Sequence, residues 1–220
     1  MAESSLAEVE ARIGKAAVLA GREAGDVTLV AVSKTQPADR IEALIAQGQR
    51  DFGENRVQEA QAKWLDLRAR HADVRLHLIG QLQSNKAEEA VTLFDAIHSV
   101  DRPSLVAALA RAMDKAGRRP ECFLQVNVGD EPQKGGCPVA DLPALVEAAR
   151  ILPVAGLMCI PPADVEAAPY FALLAKLARR HGLTGLSMGM SADYETAVMI
   201  GATHVRVGTA LFGAHQASGQ

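Results

Sequence analysis

Apolar and polar positions fall into two alternating textures along this chain. Short runs rich in β-branched and other apolar residues lie at about 27–34, 51–54, 75–80, 96–100, 121–128, 153–159, 184–189 and 204–209. Between them lie longer, alanine-rich amphipathic segments at about 38–48, 56–70, 84–93, 103–117, 139–151, 165–181 and 192–201. The short runs read as strands and the longer ones as helices. One more helical segment, about 4–22, precedes the first strand. Strand–helix alternation implies parallel strands joined by helical crossovers. Eight such strands predict a (β/α)8 TIM barrel with an extra N-terminal helix. A doubly wound open sheet is the competing fold, and no Gly-x-Gly-x-x-Gly follows the first strand to favour it.

Punctuation agrees with this division. Pro37 and Pro103 sit where a first-turn proline opens a helix. Gly117 and Gly182 sit where glycine ends one. No Pro/Gly/Ser linker, low-complexity tract or charge run divides the 220 residues, so one domain over 1–220 is expected.

Composition narrows the class. Hydrophobic residues make up 49% of the chain and charged ones 22%, which excludes disorder. A formal net charge of -3 gives no reason to expect nucleic acid or an anionic membrane as partner. Cys122, Cys137 and Cys159 form no Cys-x-x-Cys pair and are odd in number, so a reduced, cytoplasmic setting is expected. The first residues carry acids and lack the apolar core of a signal peptide, and no apolar run reaches membrane-spanning length.

Candidate chemistry lies at the two ends of the chain. The first strand, Thr28-Leu29-Val30-Ala31-Val32-Ser33-Lys34, ends on a lysine. Desolvation at an apolar strand mouth destabilises an ammonium, which makes Lys34 a candidate imine-forming amine. The last strand runs through His204, Arg206 and Gly208 into Thr209. Side chains alternate along a strand. If Lys34 faces inward, so do Val32, Val30 and Thr28, while Leu29 and Ala31 face the helices. In the last strand apolar Val205 and Val207 suit the helix side, which turns Arg206 inward. First and eighth strands are neighbours in a barrel, so Lys34 and Arg206 flank one ligand. Phosphates in barrel enzymes often bind after strands seven and eight. Those strands end on Ser187-Met188-Gly189-Met190-Ser191 and Gly208-Thr209.

Each residue taken alone also has a plainer reading. Lys34 reads as a solvated strand end, Arg206 as an ion-pair partner, Ser187 as a turn former and Gly208-Thr209 as a turn. Asn55 and Ser191 read as helix caps. His77 and Asn127 read as satisfied polar groups of the core. It is their coincidence at one rim that points to a phosphorylated aldehyde held through Lys34, with an aldolase-type lysine barrel as an alternative.

Six segments also carry a resemblance. They are Ala31-Val32-Ser33-Lys34; Phe52-Gly53-Glu54-Asn55 with Gln58-Glu59; His77-Leu78-Ile79-Gly80 with Leu82-Gln83 and Asn85-Lys86; Gly156-Leu157-Met158; Leu186 to Ser191 with Asp193; and Val205 to Thr209 with Phe212-Gly213. In this order, over nearly the whole chain, they resemble the pyridoxal phosphate homeostasis protein family. That family is similar to the alanine racemase N-terminal domain and lacks the racemase's second domain. The resemblance implies that Lys34 carries pyridoxal 5′-phosphate (PLP) as a Schiff base. It implies that Arg206 faces the pyridine nitrogen, that Ser187, Gly208 and Thr209 bind the phosphate, and that Asn55 lies near the ring. Arg56 stands where an aromatic residue is frequent, and Cys159 where threonine is expected. An arginine cannot accept the pyridine proton, so the ring would be a weak electron sink. With no second domain to supply an opposing acid or base, the resemblance implies a monomeric, non-catalytic PLP carrier. Free amino acids and PLP-dependent apo-enzymes are its expected partners, and a one-domain amino acid racemase is the alternative.

Overall fold

The computed structural model describes residues 4–213. Nine strands alternate with helices. They are β1 Thr28–Val32, β2 Asp51–Glu54, β3 Arg75–Leu78, β4 Ala96–Val100, β5 Glu121–Asn127, β6 Cys137–Pro138, β7 Val154–Met158, β8 Gly185–Met190 and β9 His204–Val207. The helices are α1 Leu6–Leu19, α2 Ala38–Ala46, α3 Val57–Arg70, α4 Ala87–Leu93, α5 Pro103–Ala116, α6 Leu142–Ala148, α7 Ala168–Arg180, α8 Tyr194–Met199 and α9 Thr209–Phe212. The ring order is β1-β2-β3-β4-β5-β7-β8-β9, and β9 pairs back with β1, so a parallel barrel closes. The short β6, which sequence did not predict, pairs with the end of β5 outside this ring.

Strand alternation sorts the barrel as parity predicts. Leu29, Ala31, Val205 and Val207 join the apolar layer beneath the helices. A Cβ on Gly53 would lie 3.0 Å from Val30 and 3.1 Å from Ile79, which puts those two side chains together inside the ring. Apolar burial of the outer layer is the main stabilising term. The N-terminal helix α1 buries Leu6, Val9, Ile13, Ala16 and Ala17, one stripe at helical spacing, and lies against α8. It starts on a reciprocal cap: Ser5 Oγ accepts from the Glu8 N–H at 3.2 Å, and Glu8 Oε2 accepts from the Ser5 N–H at 2.8 Å.

The strands end earlier than the apolar runs suggest. β1 stops at Val32, and Ser33 and Lys34 begin a loop. Thr35 takes a left-handed φ of 61°, and the Gln36 N–H closes a turn on Ser33 O at 3.0 Å. β9 stops at Val207 and the chain turns directly into α9. Pro37 is the N-cap of α2 rather than its first helical residue, whereas Pro103 opens α5 as predicted. Gly117 and Gly182, both at positive φ, follow the ends of α5 and α7. No helix among the described residues is long and apolar enough to cross a membrane.

Candidate functional site

A cavity of about 590 Å³ opens among the C-terminal strand ends, within the usual size range of small-molecule sites. Its wall includes Lys34, Asn55, Arg206, Gly208 and Thr209, so five of the six residues singled out in the sequence meet there. Val32, Ile79, Ile160 and Met190 supply apolar wall.

Lys34 is half-buried at the rim, and the backbone before it is braced from below. Ser33 Oγ donates to Glu54 Oε1 at 2.7 Å, and Lys63 Nζ donates to Ser33 O at 2.6 Å. The fully buried Glu54 carboxylate also accepts from Trp64 Nε1 at 2.8 Å and pairs with Lys63 at 2.8 Å. All three partners meet Oε1 and offset part of its desolvation, while the buried Oε2 has no hydrogen-bond partner among the described residues. This cluster fixes where the Lys34 side chain departs.

Arg206 is 3% exposed and has no carboxylate within ion-pair distance among the described residues. Burial pushes its pKa below the ordinary value, yet a guanidinium remains charged. It donates to Ser187 Oγ at 2.7 Å and to Cys159 O at 2.9 Å. Cys159 thus meets Arg206 through its backbone carbonyl, while burial pushes the thiol up to about 12. Arg56, the other departure from the resembling family, points outward and pairs with exposed Glu59 at 3.3 Å.

Ser187 is the exception among the predicted residues. It is fully buried below the cavity, and its hydroxyl is taken up by Arg206 and by His98 at 2.7 Å. The phosphate role expected for it would need a hydroxyl in the cavity wall, and Ser187 lies outside that wall. The hydroxyl that does line the cavity is Ser191. The helix-cap reading of Ser191 is corrected, because the N-cap of α8 is Asp193. Ser191 Oγ instead accepts from the N–H groups of Gly208 at 3.2 Å and Ala210 at 3.3 Å. Together with Thr209 this makes a cluster of hydroxyl and backbone donors. A Cβ at 208 would lie 3.2 Å from Val32 Cβ, so any larger residue there would push on Val32.

Asn55 does not cap α3, whose N-cap is Arg56, and it faces the cavity. Its backbone comes so close to Gly80 that a Cβ on that glycine would lie 2.1 Å from Asn55 O. His77 is fully buried, as the plain reading has it. Asn127 is not a core group: its side chain closes the following loop, accepting from the Glu131 N–H at 3.1 Å and donating to Glu131 O at 2.8 Å. Sequence reasoning also missed Gln81 and Gln125, joined at 2.7 Å across the wall, and Lys134, which pairs with Glu131 at 2.6 Å. Of these, only Lys134 carries a residue-type signal that could have flagged it.

The arrangement offers an amine for a carbonyl carbon, a buried cation for a heteroaromatic nitrogen or an anion, and a donor cluster for a phosphate. Comparison with known proteins narrows this set. The family model for the alanine racemase N-terminal domain matches residues 5–216. The pyridoxal phosphate homeostasis protein of Pseudomonas aeruginosa is 47% identical over 221 residues, covering 96% of this chain and 94% of its own length. The protein of the same name from Escherichia coli K12 is 37% identical, with 97% of each chain covered. The structure of PipY from Synechococcus elongatus with PLP bound is 43% identical, with a TM-score of 0.79 over 91% of this chain and 100% of that one. Alanine racemase of Clostridium difficile shares the fold alone, at 12% identity and a TM-score of 0.69, with 59% of its length covered. The chain therefore belongs to the pyridoxal phosphate homeostasis protein family, built on the fold of the alanine racemase N-terminal domain.

Proposed function

We propose that this protein binds PLP in the Lys34 cavity and serves intracellular PLP homeostasis as a non-catalytic, monomeric carrier in the cytoplasm. The observation that carries the reading is the pairing, in one cavity, of the Lys34 amine with a buried arginine that lacks a carboxylate. The residues fit the cofactor. Arg206 needs an acceptor where it faces the cavity, and a pyridine nitrogen supplies one. Ser191, Gly208 and Thr209 offer the phosphate hydroxyl and backbone donors, and glycine at 208 leaves room for close backbone approach. Asn55 lies beside the ring. Residues 1–220 act as one PLP-binding unit.

Lys34 Nζ would hold the aldehyde end of PLP, with Arg206 across the cavity at the ring nitrogen. Bound PLP supplies an electron sink for chemistry at an amine-bearing carbon. Arg206 sets how strong that sink is: as a pure donor it leaves the ring nitrogen unprotonated, which weakens it. Racemisation further needs two groups that move a proton on opposite faces of one carbon. The cavity wall contains no histidine, tyrosine or carboxylate residue among the described residues, and its second lysine, Lys134, is held by Glu131 at 2.6 Å and by Pro161 O at 3.0 Å. Lys34 stands at the cavity mouth, where free amino acids would reach it and where PLP would stay open to exchange with apo-enzymes. The three buried free cysteines are consistent with a reduced compartment.

The test is the visible spectrum of purified protein loaded with PLP, before and after borohydride reduction, followed by peptide mapping. A reducible chromophore fixed on the Lys34 peptide is expected. A fixed adduct on Lys86 or Lys134 alone overturns the assignment. For the carrier role, α-proton exchange of D- and L-amino acids in heavy water should run orders of magnitude below the enzyme median of about 10 per second. Exchange near that median would establish a racemase.

A further inference from the structure

Inside the barrel runs a file of polar side chains that the cavity wall does not include apart from its first member. Arg206 Nη1 lies 2.7 Å from Ser187 Oγ, and Ser187 Oγ lies 2.7 Å from His98 Nδ1. His98 Nε2 lies 3.0 Å from His77 Nδ1, and His77 Nε2 lies 2.8 Å from Asp51 Oδ1. Ser187, His98 and His77 are fully buried, and Asp51 is the first residue of β2 at the opposite mouth. The file therefore links the cavity to the far end of the barrel.

Both ends have forced roles, because a guanidinium only donates and a carboxylate only accepts. At the Asp51 end, His77 donates from Nε2 and turns Nδ1 toward His98 Nε2. At the Arg206 end, Ser187 oxygen accepts, and its O–H is free to donate to His98 Nδ1. The two assignments meet without conflict when His98 donates from Nε2 to His77. Every group in the file is then satisfied in one direction only. The groups facing His98 support a neutral ring: burial first, then the rings of His77 and His204 and the charge of Arg206, push it well below the ordinary histidine range. His204, also facing His77 and flanked by Asp51 and Arg75, is pushed down to about 4, chiefly by burial.

We infer that His98, His77 and Asp51 are positioning residues for Arg206, acting through Ser187 to hold its guanidinium fixed as a pure donor toward the cofactor ring. This rests on the PLP reading for its consequence but not for its geometry. Asp51 anchors the far end of the file, while the carboxylate whose charge acts on Arg206 is Asp193. A carboxylate beside Arg206 would compete with the ligand for its remaining N–H groups; one at the other end of a hydrogen-bonded file does not. Plain packing is the rival account, since the His98 ring stacks on Phe123 with centroids 4.4 Å apart. A phenylalanine would satisfy packing equally well.

Histidine nitrogen spectra of the ligand-free wild-type protein read the file directly. His98 should be the neutral Nε2–H tautomer at pH 7, and His98 as the Nδ1–H tautomer would overturn the proposal. In the loaded protein, His98→Phe should weaken binding of PLP and of pyridoxal alike, by about tenfold, and shift the visible absorption band. His98→Gln, which keeps an acceptor and a donor, should recover most of that loss. A folded His98→Phe protein with wild-type affinity and spectrum would overturn the proposal. If that variant does not fold, the wild-type His98 tautomer decides. If wild-type protein fails to take up PLP, the cofactor reading falls while the tautomer result still judges the file.

Discussion

At the N-terminal mouth of the barrel the charges are paired, whereas at the C-terminal mouth two cations stand without a carboxylate. Arg75 meets Glu121 at 3.2 Å, and Asp95 takes Arg68 at 3.1 Å and Arg118 at 3.0 Å. Asp95 also accepts from the Leu76 N–H at 2.9 Å, so it ties β3 to the start of β4. Across the barrel, neither Lys34 nor Arg206 has a carboxylate partner among the described residues. The paired end closes a fold, and the unpaired end keeps its donors free for a ligand. Such division is general to these barrels, where the C-terminal face carries function and the N-terminal face stability. What this chain adds is a line of hydrogen bonds joining the two faces.

The largest effect that would sharpen this contrast is at Lys34. The side chain is half-buried at the rim and contributes nothing to the apolar core. Lys34→Ala should abolish the borohydride-reducible adduct completely while leaving the melting temperature within a few degrees of wild type. A mass spectrum of reduced protein and a thermal melt check the two halves. A collapse of the fold in this variant would erase the distinction between the two mouths.

The second effect separates the phosphate cluster from the file below it. Ser191→Ala and Thr209→Val each remove one donor at the rim. Each should weaken PLP binding by about 2 kcal/mol, roughly thirtyfold, and leave pyridoxal, which lacks the phosphate, nearly unaffected. Ser187→Ala should instead weaken both ligands equally, because its hydroxyl touches Arg206 and not the cavity. Titrations of the six protein–ligand combinations decide it. A Ser187→Ala loss confined to PLP would return that residue to the phosphate site.

Why Ser187 lies outside the cavity wall and Arg206 within it is a matter of strand regularity. In β9, Val205 and Val207 pack outward without interruption, so period-two alternation alone turns Arg206 inward. β8 does not keep its period. Its register against β9 shifts between Ser187 and Met190, and Gly189 sits at a φ of 94°. Counting along such a strand cannot tell which serine reaches the rim. The barrel and its helices were legible because parallel strands buried on both faces read as apolar runs. The end of β1 was not, because the chain leaves the strand into a turn over residues 33–36, closed by the Gln36 N–H on Ser33 O. The file from Arg206 to Asp51 lay beyond sequence reasoning altogether: its His98–Ser187 link joins residues 89 apart, and local periodicity carries no information about that contact.

The smallest effect tests the stability side, at Asp95. Removing this carboxylate leaves the Leu76 N–H without its acceptor, while Arg68 and Arg118 lose their ion pair and keep their backbone carbonyl acceptors. Asp95 is only partly exposed, at 20% of its side chain, so solvent screens part of the loss. We expect Asp95→Ala to cost about 1.5 kcal/mol, or roughly 4 °C in melting temperature for a domain of this size. PLP affinity should stay within about twofold of wild type, since Asp95 touches neither the cavity nor the file. Exposed pairs such as Arg75–Glu121 should cost less still, because two half-exposed side chains are ordered for a screened attraction. Paired thermal melts and PLP titrations measure both quantities on one preparation. A large loss of PLP affinity in Asp95→Ala, with little change in melting temperature, would mean that the two mouths are coupled through the strands themselves and that charge pairing does not separate fold from function.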